Sequence, residues 1–193
     1  MVLLLGTTRK EIDMNKKEKS SKKSAAPIKP ASIDVIIETP KGSRNKFKYD
    51  STSRMFKLSK VLPEGMMFPY DFGFVPSTIG DDGDPLDILV LMDEPTFPGC
   101  LLECRLIGVI EAEQEENHEK ERNDRLVAVG QQSLLYSDIG HIQDLAAPVL
   151  RQIQAFFVNY QKVRDVKFRI LATQGPDRAL QILRHGVSRK DVA

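Results

Sequence analysis

Between Asp81 and Val90 the chain reads Asp-Asp-Gly-Asp-Pro-Leu-Asp-Ile-Leu-Val, four carboxylates within seven residues joined directly to an apolar run. Nothing else in the sequence constrains the fold as tightly. Leu86–Leu91 has to be buried, while the carboxylates at its head repel one another and cannot be drawn inside uncompensated. Gly83 gives the backbone freedom and Pro85 fixes the turn into the strand. In extended chain Asp82 and Asp84 share a face. Asp87 opens a buried strand, where an unpaired carboxylate is costly. A divalent cation is the general compensator, because hard ions such as Mg²⁺ take carboxylate and water oxygens. The other reading is a solvated acidic turn, and spacing alone leaves both open. An EF-hand is excluded, since its loop needs a different Asp spacing and a Glu at the twelfth position.

The rest of the chain supplies short strands. Ile33–Glu38 is β-branched and stops at Thr39-Pro40, and Lys46–Asp50 alternates, with Lys46 and Lys48 on one face and Phe47 and Tyr49 on the other. Met55–Leu58, Leu86–Leu91, Leu101–Ile110, Arg125–Val129 and Val166–Ala172 are further candidates. Met67–Pro76, aromatic-rich and broken by Pro and Gly, reads as an irregular segment near a site. The nearly all-polar Glu111–Asp124 reads as a long exposed hairpin loop. Asp144 is placed to cap a helix in which Leu150, Ile153, Phe156, Phe157 and Tyr160 form one apolar stripe. Gly175-Pro176 opens a last short helix with Ala179, Ile182 and Leu183 facing inward. Short strands followed by helices give an α+β class, a small closed barrel with helices packed on it.

At 193 residues, 41% hydrophobic and 28% charged, the chain suits one domain with a sizeable core. Residues 1–30 hold eight Lys/Arg against three Asp/Glu, so the net +1 of the whole chain divides into +5 there and −4 in the remainder. Residues 1–30 are expected to be a disordered basic tail and 31–193 a single domain. The mildly acidic body argues against a nucleic-acid module. No apolar run reaches membrane-spanning length, and Met1–Leu5 is too short for a signal-peptide core. Cys100 and Cys104 sit too far apart along a strand to bridge, so both are expected as reduced, buried thiols in a cytoplasmic protein.

Four stretches occur in order: Glu38–Asp50, Phe68-Pro69-Tyr70-Asp71-Phe72-Gly73-Phe74-Val75-Pro76, Asp82-Gly83-Asp84-Pro85-Leu86-Asp87 and Phe156-Phe157-Val158-Asn159-Tyr160. Together they resemble the family I soluble inorganic pyrophosphatases, over roughly Ile33 to Leu183. The resemblance implies a five-stranded OB-like β-barrel with accessory C-terminal helices. It implies hydrolysis of inorganic diphosphate with several Mg²⁺ ions, and a homo-oligomer. It also implies roles: Asp82 and Asp87 as metal ligands, Asp84 as the group that orients and deprotonates the attacking water beside the metals, and Glu38 in the outer metal shell. Lys46, Lys60, Arg125 and Tyr160 would hold phosphate. Taken alone, Lys46 reads as a solvated strand lysine and Tyr160 as a helix core aromatic.

The chain also departs from that family. Lys48 stands where the family has Glu, Lys60 where it has Arg, Phe68 and Phe72 where it has Tyr, and Gln161 where it has Lys. In the loop before Arg125, Gln114 and Asn123 fall at or near the places of two metal-binding Asp, and Arg125 falls on a Lys. Asp124, one position off, is the candidate replacement ligand, with Glu113, Glu115, Glu116 and Glu121 nearby. These changes predict fewer or weaker metal sites. They also give an alternative to turnover: a diphosphate-binding protein with weak or lost activity, or a hydrolase of another diphosphate compound.

Overall fold

The apolar run that begins at Leu101 continues as strand well into the polar stretch beyond it. The computed structural model describes residues 32–116 and 118–192; the expected basic tail lies outside the described residues. These form nine strands: β1 (Ser32–Thr39), β2 (Asn45–Asp50), β3 (Met55–Val61), β4 (Asp71–Phe74), β5 (Asp87–Leu91), β6 (Leu101–Glu116), β7 (Glu119–Arg122), β8 (Arg125–Gly130) and β9 (Lys167–Gln174). Two helices, α1 (Ala147–Lys162) and α2 (Pro176–Val192), complete the described fold.

β6 organises the sheet. Its first residues pair with β1, its middle with β8, and its far half with β9 and β7. β1 pairs in turn with β4, β4 with β5, and β5 with β8 in parallel. Five strands, β1-β4-β5-β8-β6, thereby close on themselves, the expected OB-like ring with C-terminal helices. Alternate residues of the inner strands serve two apolar clusters. Leu89, Leu91, Val127 and Val129 pack with Ile153 and Phe157 of α1, while Ile88, Val90, Leu126 and Ala128 pack with Ala179 and Leu183 of α2. This two-sided burial is why Leu86–Leu91 and Arg125–Val129 read as continuous rather than alternating apolar runs.

Five expectations are corrected. Glu111–Asp124 is not a loop: it holds the end of β6 and all of β7, paired from Glu113↔Arg122 to Glu116↔Glu119. Its polarity hides a period of two, with Ala112 and Gln114 buried while Glu113 and Glu115 point out to Arg169 and Lys167 of β9. Asp71–Phe74, within the segment expected to be irregular, is a buried strand. Asp144 caps a short 3-10 turn, Ile142–Asp144, by accepting from the Gly140 and His141 amides; α1 starts at Ala147 with Ala146 before it and no side-chain cap. α2 is 17 residues long rather than short. Both cysteines are free, but only Cys104 is buried, and burial pushes its thiol up to about 12.

Loops are tied by buried polar groups. Asp71, 1% exposed, accepts from the Lys41 amide (2.7 Å) and from both the amide and the hydroxyl of Thr96 (3.0 and 2.7 Å). Gly73 faces Ile37 across the β1–β4 ladder. A Cβ at Gly73 would lie 2.0 Å from the Ile36 carbonyl oxygen, which belongs to backbone and cannot turn away. Gly73→Ala is therefore expected to lower the unfolding free energy by about 3 kcal/mol, read by urea denaturation.

Candidate active site

The acidic turn closes on its own backbone. The Asp84 amide donates to Asp82 Oδ1 at 3.1 Å, the Gly80 amide to the Asp84 carbonyl at 2.7 Å, and Gly83 takes a φ of +81° between them. β5 then begins at Asp87. Its parallel register with β8, Ile88↔Leu126, sets Asp87 beside Arg125 at the start of the neighbouring strand. Arg125 Nη1 lies 2.8 Å from Asp87 Oδ2. The carboxylate expected to be costly at the head of a buried strand is thus paired.

The opposite wall is the β2–β3 hairpin, docked on β1 by two side chains. Glu38 Oε1 accepts from the Tyr49 amide at 2.7 Å, and Thr39 Oγ1 from the Phe47 amide at 3.1 Å. Lys46 and Lys60 face each other across this hairpin. Lys48 reaches the acidic turn, with Nζ 2.7 Å from Asp84 Oδ2. The third wall is the end of α1, which supplies Tyr160 and Gln161, with Arg164 just beyond.

These walls enclose a chamber of about 320 Å³ lined by Asp82, Asp84, Asp87 and Glu121 and by Lys46, Lys60, Arg125, Tyr160 and Arg164. A second chamber of about 300 Å³ is lined by Glu38 and Tyr49. Lys46, Lys48, Asp84 and Asp87 line both, so the Lys48–Asp84 pair stands between the two.

Seven of the nine sequence-predicted residues line the first chamber; Glu38 lines the second and Asp124 neither. Asp124 accepts from the Ala112 amide at 2.9 Å and pairs with Arg122. It lines a neighbouring pocket of about 40 Å³, together with Asp82, Asp87, Arg122 and Arg125, and neither of the two chambers. In the places expected to hold two Asp stands an amide network. Gln161 Nε2 donates to Gln114 Oε1 at 3.3 Å, Asn123 Nδ2 donates to the same oxygen, and Arg125 donates to Asn123 Oδ1. Of the loop carboxylates the sequence offered, Glu121 lines the cleft; Arg164, which lines it too, is not among the residues the sequence points to. Arg164 lies three residues past Gln161 and donates to its Oε1 at 2.7 Å, an i,i+3 relation at a helix end that carries no motif. Glu121 accepts from Gln114 Nε2.

The electrostatics favour a bound ion and a bound anion together. Burial raises the Glu38 pKa, with the Asp87 charge adding to it against the Tyr49 amide. Asp82 keeps exposed surface, yet desolvation of its carboxyl raises its pKa too, reinforced by Asp87 and Asp84. Lys60 is lowered by burial, with Arg164 and Lys46 contributing in the same sense. Lys48 is raised, chiefly by its hydrogen bond to Asp84. Two buried polar atoms in the cleft, Arg125 Nε and Tyr160 Oη, have no partner among the described residues. The donors are all hard oxygens, which suits Mg²⁺ or Mn²⁺. Among the described residues no three acidic, His or Cys side chains converge as a ready-made cage, so water or a ligand's oxygens must complete any coordination shell.

The profile of the family described as Inorganic pyrophosphatase matches residues 35–191. The chain is 37% identical to the inorganic pyrophosphatase of Synechocystis sp. over 162 residues, 83% of this chain and 94% of that one. It is 35% identical to that of Methanosarcina acetivorans over 155 residues, 80% and 90% of the two chains. The fold superposes on the crystal structure of inorganic pyrophosphatase from Thermus thermophilus with a TM-score of 0.77 and 32% identity, covering 83% of this chain and 91% of that one. The Helicobacter pylori structure gives 0.77 at 27% identity, with 86% and 99% covered.

The Asp87–Arg125 pair generates a test. Arg125→Met leaves Asp87 and Asn123 Oδ1 without their cation and is expected to cost about 3 kcal/mol of stability. Asp87→Asn added to that variant should recover part of the loss, as read in a chemical-denaturation double-mutant cycle.

Proposed function

The chain belongs to the inorganic pyrophosphatase family, and from that premise we propose that its cleft hydrolyses inorganic diphosphate to two phosphates with Mg²⁺ as the metal. Members of the family work with divalent metal. The observation that carries the reading is one chamber of about 320 Å³ that gathers four carboxylates, Asp82, Asp84, Asp87 and Glu121, with five cations, Lys46, Lys48, Lys60, Arg125 and Arg164, and has room for a diphosphate. Like charges directly opposite on a hairpin, as at Lys46↔Lys60, are destabilising unless an anion lies between them.

Asp82 and Asp87 would hold the metal, with Glu38 behind them in the adjoining chamber and substrate or water oxygens filling the remaining positions. Bound there, Mg²⁺ supplies Lewis-acid polarisation of the phosphoryl group and an acidified water. Asp84 accepts the proton of the attacking water through a carboxylate oxygen at the boundary of the two chambers. Lys46, Lys60 and Arg125 neutralise charge on the departing phosphate. The partnerless Tyr160 hydroxyl and Arg125 Nε–H are free to donate to its oxygens. Arg164, oriented by Gln161, adds a guanidinium to the same wall. Such donors act most strongly where water is excluded, and Tyr160 and Arg125 are each 5% exposed.

We also propose a cytoplasmic homo-oligomer. No helix among the described residues is long and apolar enough to cross a membrane, and both cysteines are unpaired. Exposed Phe97, Leu101, Leu134 and Leu135 offer apolar surface for self-association, which light scattering on the eluting peak would measure.

Phosphate release from diphosphate with Mg²⁺ tests the reaction. Asp84→Asn should lower kcat by about a hundredfold or more while the fold is kept. Diphosphate binding with no product from the wild type would instead identify a binding protein. Lys60 gives a pH test. Its lowered pKa means that it loses charge at a lower pH than an ordinary lysine, so KM for diphosphate should climb on the alkaline side. Lys60→Arg, charged throughout that range, should move the climb to higher pH.

A further inference from the structure

Lys48 sits where a metal-binding cleft has least use for a lysine. Its ammonium bonds Asp84 between the two chambers and lines both. Its reach is set by the fold, because the next residue, Tyr49, is pinned through its amide to Glu38. The hairpin does not need the pairing for its own sake. Across the ladder Lys48 faces Lys57, and that like-charge pair is split by Lys57 turning to Asp50 while Lys48 turns to Asp84. Stability is no reason either: both side chains of the Lys48–Asp84 pair are about half exposed, 52% and 57%, and such pairs contribute little.

We propose that Lys48 is a tethered cation that takes the electrostatic place of one divalent ion, so that Asp84 is neutralised before any metal arrives. Arg125 treats Asp87 in the same way, at 2.8 Å, which leaves Asp82 as the acid of the turn without a protein cation on it among the described residues. A cleft built like this takes up fewer metal ions when empty than its carboxylates would otherwise hold, because a carboxylate already bonded to an ammonium has less negative charge to offer an incoming ion. Resting on the diphosphate reading above, the metal then enters mainly together with its phosphate ligand. The ammonium is released from Asp84 towards a phosphate oxygen, which frees the carboxylate to take a proton. Weak pairing is what permits this exchange; a buried, fully satisfied ion pair would not let go.

The test is a Mn²⁺ titration of the free protein, without diphosphate, followed by electron paramagnetic resonance of unbound Mn²⁺. Lys48→Gln should tighten Mn²⁺ binding about tenfold. Lys48→Glu should add one further bound ion. Lys48→Arg, which keeps the charge, should titrate as wild type does. In an Asp84→Asn background Lys48→Gln should move the affinity by less than about twofold, since the lysine acts through Asp84. Lys57→Gln controls for net charge, being screened and outside the cleft. Unchanged affinity in Lys48→Gln, an equal shift in Lys57→Gln, or tightening by Lys48→Arg would each overturn the proposal. Circular dichroism on each variant confirms that it is folded. Phosphate release by the wild type, assayed separately, reports on the diphosphate reading alone, so the two ideas fail independently.

Discussion

The parallel pairing of β5 with β8 is the constraint on which the site depends. It is the one parallel contact among the described strand pairs, and it sets the heads of two buried strands side by side. One head carries Asp87 and the other Arg125, and the resulting ion pair lets an acidic turn run directly into apolar strand without a naked charge at the boundary. Slip the register by one residue and the side chains of the slipped strand exchange the two clusters they pack in, while the carboxylate loses its cation. Core packing and site electrostatics are therefore fixed by one alignment.

Around that alignment the cleft is assembled from pieces distant in sequence. A hairpin held by Glu38 and Thr39 carries the three lysines that line the cleft, the acidic turn carries three of its carboxylates, and the end of α1 carries the aromatic hydroxyl. Glu38 serves the scaffold and the second chamber together, since the carboxylate that anchors the hairpin also has a burial-raised pKa. Opposed lysines, crowded acids and unpartnered donors are each unfavourable in an empty cleft. They become favourable in combination when a metal and a polyanion bind.

Much of this was legible in the sequence because its signals are local. The apolar runs that follow Leu86 and Leu101 announced strands, and the Asp-Gly-Asp-Pro-x-Asp motif with its flanking stretches announced the family. What was not legible depends on pairing. Glu111–Asp124 looked like loop because a strand whose outward face is answered by Arg169 and Lys167 needs few apolar residues. Asp124 is adjacent in sequence to the right position, but it lies in the two-residue link between β7 and β8, where Arg122 and the Ala112 amide hold its carboxylate. Arg164 has no motif of its own and acquires a place only through Gln161. Asp144 had the right chemistry for a cap and serves a different turn.

The hairpin of β6 and β7 has a consequence for traffic through the cleft. Many enzymes close a mobile lid over their substrate, and lid opening then limits turnover. Here Gln114 lies on the far half of β6, an extension of a ring strand that is hydrogen-bonded to β7, which carries Glu121, on one edge and to β9 on the other. This extension cannot swing without unzipping ladders that the barrel itself relies on. Substrate and product must pass a standing doorway, and the pace of departure falls to how firmly the surrounding lysines and arginines grip a phosphate.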